Sequence, residues 1–151
     1  MIISIIGSGG KTTRMKQLLH QYKEEGKTVL MTTSTHMRIE EDTLVDPTYE
    51  EIHEEIKNKG YAFAGNRFDE YMVNVAEKTL KEVDVILIEA DGSRGFPLKV
   101  PADYEPVIDE DTDEIILITS MKGLGKRVKD VVHRYELLDL DPEKIVDGAL
   151  I

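Results

Sequence analysis

The sequence predicts an α/β fold built on a mostly parallel sheet covered by helices on both faces. Two patterns predict it. Residues 2–6, 27–33, 83–90 and 114–119 are short runs, almost wholly apolar and rich in β-branched side chains, without the alternation of a strand wetted on one face. Between them lie segments with helical spacing, so strand and helix alternate along the chain, as parallel strands joined by crossovers require.

In chain order, residues 2–6 form the first strand. Met15, Leu18, Leu19 and Tyr22 then follow a helical period that stops at Gly26, where a helix C-terminus is expected. Residues 27–33 are the second strand. Tyr49, Ile52, His53 and Ile56 mark a weaker helical stripe, and Phe68, Tyr71, Met72, Val75, Ala76, Leu80 and Val83 a longer one. Residues 83–90 and 114–119 supply two further strands. Val128, Val131, Val132, Tyr135 and Leu138 predict another helix, and Asp141-Pro142-Glu143 has the form of an N-cap followed by proline at the first helical position. The chain therefore ends on a short helix or continues in a longer protein.

Length and composition bound the function. The 151 residues suit one domain with a proper core. No repeat with a period of roughly 20 to 50 residues occurs. The absence of Cys removes disulfides, thiolate zinc sites and cysteine nucleophiles, and suits a reducing cytoplasm. No apolar run approaches the roughly 20 residues of a membrane span, and residues 1–6 lack the basic start of a signal peptide. A net charge of -11 argues against wrapping by nucleic acid. Expectations are thus a cytoplasmic protein with neither a membrane nor a nucleic-acid partner.

The chemistry concentrates in Gly7-Ser8-Gly9-Gly10-Lys11-Thr12-Thr13, directly after the first strand and opening the first helix. A glycine-rich turn at a helix N-terminus aims backbone N–H groups at one spot, where the helix dipole favours an anion. Lys11 would bring a compact positive charge to the terminal phosphates, and the Thr12 hydroxyl would sit on Mg²⁺. The G-x-x-G-K-T-T spacing is two residues shorter than the usual phosphate loop and resembles that of the Mur-ligase group of ATP-dependent ligases. A glycine-rich turn with a surface lysine is the plain alternative. With this loop the fold expectation sharpens to a P-loop NTPase-like three-layer sandwich holding an NTP, ATP or GTP, with Mg²⁺.

A second constellation ends the third apolar run, where Glu89, Asp91 and Arg94 follow Val85-Ile86-Leu87-Ile88. Ligands of open α/β sheets bind beyond the C-terminal ends of strands, so Glu89 and Asp91 are candidates for Mg²⁺ or an attacking water, and Arg94 for phosphate charge. The residues leave open which carboxylate does which. At the end of the second strand, Thr33 and Thr35 are candidates to reach a γ-phosphate or the metal's water shell. His36, Lys99, His133 and Arg134 are candidates for substrate contact.

Four blocks together carry a resemblance: residues 7–13, residues 32–37, residues 88–108 including Pro97-Leu98-Lys99-Val100-Pro101-Ala102 and Asp103-Tyr104-Glu105-Pro106, and Gly123-Leu124-Gly125-Lys126 followed by Val132-His133-Arg134. The chain resembles the YqeC family of accessory proteins of selenium-dependent molybdenum hydroxylases. That resemblance implies one P-loop-type nucleotide-binding domain over residues 1–151, forming the N-terminal part of a longer family architecture. It also implies partners among the hydroxylase and its cofactor-maturation proteins.

Three functions follow: an NTP-hydrolysing accessory protein, the nucleotide domain of a Mur-ligase-like ligase or small-molecule kinase, or a non-catalytic docking module. Charge patterning bears on the third. Residues 40–55 hold eight carboxylates and residues 103–114 seven, with no Lys or Arg in either, so the remaining chain sets 19 basic against 15 acidic residues. The acidity belongs to two segments outside the phosphate loop, read as solvated surface or partner docking.

Overall fold

The computed structural model describes residues 1–73 and 82–151. The chain is an α/β protein with a mostly parallel mixed sheet of eight strands. The strands are β1 (Ile2–Gly7), β2 (Val29–Thr33), β3 (Met37–Arg38), β4 (Thr43–Val45), β5 (Tyr61–Phe68), β6 (Tyr71–Val73), β7 (Val85–Glu89) and β9 (Glu114–Ile118), in the order β3-β6-β5-β2-β7-β1-β9, with β4 also paired to β5. Within this sheet, among the described residues, antiparallel pairing is confined to β5–β6 and β3–β6. A two-stranded parallel sheet joins β8 (Leu98–Lys99) to β10 (Val132–His133).

The two longest helices of the described residues are α1 (Lys11–Glu24) and α2 (Tyr49–Lys59). In α1, Met15, Leu18 and Leu19 pack against Ile3, Ile5, Met31 and Leu87. The helix ends where Gly26, at φ 77°, lets the Lys27 N–H return to the Tyr22 carbonyl at 3.0 Å. In α2, Ile52 and Ile56 pack against Leu30, Ala62, Ile86 and Ile88, the alternate residues of the same strands, which point to the other face. A capping box starts α2: the Thr48 hydroxyl accepts from the Glu51 N–H, and Glu51 Oε2 from the Thr48 N–H at 2.7 Å. All five residues of β2 and of β7 are buried, as their continuous apolar runs predict.

The structure departs from the sequence pattern at four places. Phe68, Tyr71 and Met72 belong to the β5–β6 hairpin, not a helix, with Asp69 at φ 56° in the turn; Val75, Ala76 and Leu80 lie outside the described residues. Residues 128–138 break into a single turn α3 (Val128–Val131), β10 and a 3-10 turn (Tyr135–Leu138), because Val132 and His133 pair with Leu98 and Lys99 and Arg134 turns left-handed at φ 60°. No helix starts at Asp141. Residues 142–146 bond instead to residues 126–129, through Lys129 N to the Pro142 carbonyl, Val128 N to the Lys144 carbonyl and Val146 N to the Lys126 carbonyl. Finally, β9 is an edge strand on which Ile115 and Leu117 stay exposed, so its apolar run is covered on one face only among the described residues.

A third cluster, with Leu98, Val100, Val128, Val131, Val132 and Val146, supports the β8–β10 ribbon. No helix of the described residues is long and apolar enough to cross a membrane.

Candidate functional site

Parallel pairing brings the C-terminal ends of β1, β2, β7 and β9 to one sheet edge. Ile5 pairs with Glu89, Thr33 also with Glu89, and Gly7 with Ile118. The segments leaving these ends, around residues 7–13, 33–36, 90–97 and 119–126, therefore share one rim, the place where open α/β sheets bind ligands.

The loop between β1 and α1 is fixed from beneath. The Gly7 N–H donates to Asp91 Oδ2 at 2.8 Å, the Ser8 N–H to the Ile118 carbonyl at 2.9 Å, and the Ser8 hydroxyl to the Pro97 carbonyl at 3.0 Å. Gly9, at φ 78°, passes so close that an added Cβ would lie 2.3 Å from Ser120 Cβ and 2.7 Å from the Pro97 oxygen. The loop, the 93–97 turn and the 120–126 segment are thereby clamped together. Gly10 precedes α1 without any side-chain cap, and no acidic residue stands in the first turn. The first-turn N–H groups thus keep no intrahelical acceptor and open onto a cleft of about 570 Å³, within the usual size of ligand sites. Gly9, Gly10, Lys11, Thr12 and Thr13 form its floor, Phe96 and Pro97 one wall, and Lys122 and Lys126 another. A smaller cavity of about 300 Å³ lies behind Asp91 and Lys99; its apolar lining, with Leu98, Leu117 and Leu138, makes it the less suitable place for an anion.

Lys11 is 4% exposed, and its ammonium donates to the Gly7 carbonyl at 2.7 Å, 3.1 Å from Asp91 Oδ1 and 3.6 Å from Glu89 Oε1. The Thr12 hydroxyl donates to Glu89 Oε2 at 3.3 Å. Burial pushes the Glu89 carboxyl above its ordinary range, with Lys11 and Thr12 opposing the shift only in part. The two carboxylates therefore have different positions. Glu89 faces the loop hydroxyl, whereas Asp91 is tied to the Gly7 N–H and to lysines on both sides, with Lys99 Nζ 2.7 Å from Oδ2.

Lys99 continues the contact outward, 3.1 Å from Glu105 Oε2, and Arg134 Nη1 reaches the same oxygen at 2.5 Å. Burial would raise the Glu105 pKa, but the hydrogen bonds from Arg134 and Lys99 outweigh it and hold the carboxyl below its usual range. Lys99 and Arg134, candidates for substrate contact, are thus engaged within the protein. His133 stacks on Phe96 at 5.6 Å, and burial, then the Arg134 and Arg94 cations, lower its pKa.

Thr33, Thr35 and His36 are not among the residues lining the cleft, while Arg94 lies between Ser93 and Gly95, which are. The Thr33 hydroxyl donates to the Glu89 carbonyl at 2.8 Å and accepts from the Thr35 N–H at 3.1 Å, which ties the end of β2 to β7. His36 packs against the rings of Phe68 and Tyr71, at 4.9 and 6.1 Å. Arg94 is exposed in the turn at φ 48°. Three residues to which the sequence assigns no site role, Phe96, Lys122 and Lys126, line the cleft. The signal for the lysines was the Gly-bearing segment directly after an apolar strand that neighbours the 7–13 loop.

The molecule is an α/β protein whose candidate site is an uncapped, glycine-led helix N-terminus at the carboxyl ends of a parallel sheet. The family model described as YqeC protein matches residues 3–136, and the chain belongs to the YqeC family. It is 33% identical over 153 aligned residues to Uncharacterized protein YqeC of Escherichia coli (strain K12), an alignment covering 89% of this chain and 57% of that protein. The chain thus spans little more than half the length of this curated relative. No solved structure matches the chain.

Proposed function

We propose that the chain is a P-loop NTPase-like domain that binds an NTP, ATP or GTP, with Mg²⁺ and hydrolyses it. In this reading it is a cytoplasmic accessory protein in the maturation of a selenium-dependent molybdenum hydroxylase, acting on the hydroxylase or its cofactor-maturation proteins. The observation that carries the nucleotide reading is the uncapped start of α1 opening onto a cleft, with Thr12 on its floor and hydrogen-bonded to the buried Glu89 beneath. The residues present fit the metal: Mg²⁺ takes one or two protein oxygens and fills its shell with phosphate and water, and the Thr12 hydroxyl and Glu89 offer such a pair. When bound, the ion would neutralise charge on the phosphate oxygens.

The roles then divide. The N–H groups of residues 9–13 bind the phosphate chain and Lys11 neutralises its end. Glu89, whose raised pKa suits a general base, orients water and takes its proton. Asp91 positions the loop and Lys11. The ligase or kinase reading is less well supported, since the Lys99 side chain is 4% exposed and engaged by Asp91 and Glu105. Arg94 is kept as a candidate for phosphate charge. The molybdenum-hydroxylase role rests on the family resemblance alone.

Melting of the purified protein with Mg²⁺ and either nucleotide, alongside phosphate release, tests this. Binding raises Tm in the wild type and not in Lys11→Ala, and phosphate release is lost in the variant. A Tm that millimolar nucleotide leaves unmoved overturns the proposal.

A further inference from the structure

We infer that Lys122 and Lys126 are a second phosphate-binding element, which makes the cleft select ligands with a chain of two or more phosphates over monophosphates. The inference rests on the nucleotide reading above and adds the ligand class and the residues that choose it.

Charge at the floor requires such an element. Lys11 already faces two carboxylates, Asp91 at 3.1 Å and Glu89 at 3.6 Å, so only part of its charge is left for a terminal phosphate. Backbone N–H groups and one magnesium ion suit a terminal phosphate; a longer chain brings further negative charge that has to be met further along. Lys122 and Lys126 supply it from the wall of the same cleft, and both are exposed. Among the described residues neither forms an ion pair, which is true also of Lys23, Lys57 and Lys144, but Lys122 and Lys126 line the cleft. Their charge is available to a ligand.

Their placement is built into the fold. Ser120 is 6% exposed, touches the phosphate loop at Gly9, and caps the next turn by accepting from the Lys122 N–H at 3.2 Å. The Lys126 backbone is held from both sides, its N–H on the Gly123 carbonyl at 3.2 Å and its carbonyl on the Val146 N–H at 2.8 Å. The main chain is pinned against the loop while the two ammonium groups stay free. A phosphate chain starting at the first turn of α1 therefore runs between a fixed floor and a cationic wall.

Titration calorimetry at low salt with Mg²⁺ tests the inference, using ATP, ADP, AMP and inorganic tripolyphosphate on the wild type, Lys122→Ala/Lys126→Ala and Lys11→Ala. Exposed lysines contribute to phosphate binding through weakly screened charge, so the double variant should lose about tenfold or more in affinity for ATP, ADP and tripolyphosphate. AMP should change less than about threefold, and added salt should weaken the wild type more than the variant. Unchanged affinity for the long chains, or an equal loss for AMP, overturns the inference. Loss in Lys11→Ala with the double variant unaffected leaves the nucleotide reading intact and removes only this one. Absence of binding by the wild type removes both.

Discussion

Lys99 grips Asp91 on the oxygen that also accepts the Gly7 N–H, Nζ to Oδ2 at 2.7 Å, with side chains only 4% and 3% exposed. The contact is the middle of a line of alternating charge, Glu89, Lys11, Asp91, Lys99, Glu105 and Arg134, that runs from the first turn of α1 to the β8–β10 ribbon. Asp91 is its keystone because it also accepts the Gly7 N–H. A buried chain of this kind fixes geometry more reliably than it adds stability.

Asp91→Ala leaves one buried positive charge in excess, with Lys11 keeping only Glu89 at 3.6 Å and Lys99 only Glu105 at 3.1 Å, and breaking buried pairs costs about 3–5 kcal/mol. Urea unfolding of Asp91→Ala should show a loss of that order. In a double-mutant cycle, adding Lys99→Met to Asp91→Ala should restore part of it, because the second change removes the excess charge. Strict additivity of the two single changes would mean that the pair is not coupled.

The glycines of the loop should differ sharply in tolerance. At Gly7, with φ 95°, a Cβ would stand 1.9 Å from the Ile118 oxygen, a backbone atom of the paired strand. At Gly10, with φ 150°, the nearest neighbour is Ile118 Cγ2 at 3.8 Å. Gly10→Ala therefore meets only the backbone strain, about 1–3 kcal/mol, while Gly7→Ala must also separate β1 from β9. Thermal melts should rank wild type above Gly10→Ala and Gly10→Ala above Gly7→Ala. Equal melting temperatures for the two variants would contradict the close approach at Gly7.

The sequence was most legible where a pattern depends on local rules. The four apolar runs became β1, β2, β7 and β9, and the Met15, Leu18, Leu19 stripe became α1, because burial and period are written into neighbouring residues. It was least legible where distant segments decide. Val131 and Val132 fit a helical spacing, yet β-branched residues also suit strands, and pairing with Leu98 and Lys99 drew Val132 and His133 into a ribbon. β5 escaped notice since Ala62, Ala64 and Gly65 give it little apolar bulk, and its end overlaps the misleading stripe from Phe68. At the site, the glycine-rich loop between β1 and α1 was visible as a motif, but the partners of its lysine were not distinguishable. The acidic segment 103–114 was read as solvated or docking surface, whereas Glu105 is built into the charge line and Asp113 accepts the Ile2 N–H at 2.7 Å.

Acid should weaken the fold through His133. Its pKa lies below the ordinary value because of burial and then the Arg134 and Arg94 cations, so folding favours the neutral ring. The stability this contributes is present in full above the unfolded-state pKa and is lost as pH falls through the native one. His133→Phe keeps a ring against Phe96 and removes the titration. Its urea midpoint should therefore fall less than that of the wild type between about pH 7 and pH 5, the range around the ordinary histidine pKa. Parallel curves would place the acid sensitivity elsewhere.

Glu89 should show the opposite sign. Burial raises its pKa, so the native state favours the protonated carboxyl and the unfolded chain ionises first as pH increases. Below the unfolded-state pKa neither state is charged and nothing is lost; through the window up to the native pKa stability falls, and above it the penalty is constant. Glu89→Gln removes that penalty. Lys11 gives up a contact at 3.6 Å but retains Asp91 and the Gly7 carbonyl, and the amide oxygen still accepts from Thr12. The variant should thus melt above the wild type at neutral pH and match it near pH 4, about the ordinary glutamate value. If Glu89 also orients the water of an NTP hydrolysis, the same variant should retain the nucleotide-induced rise in Tm while phosphate release stops. A gain in Tm independent of pH would show that improved packing, not charge, explains the stabilisation. Undiminished phosphate release would move the general-base role away from Glu89.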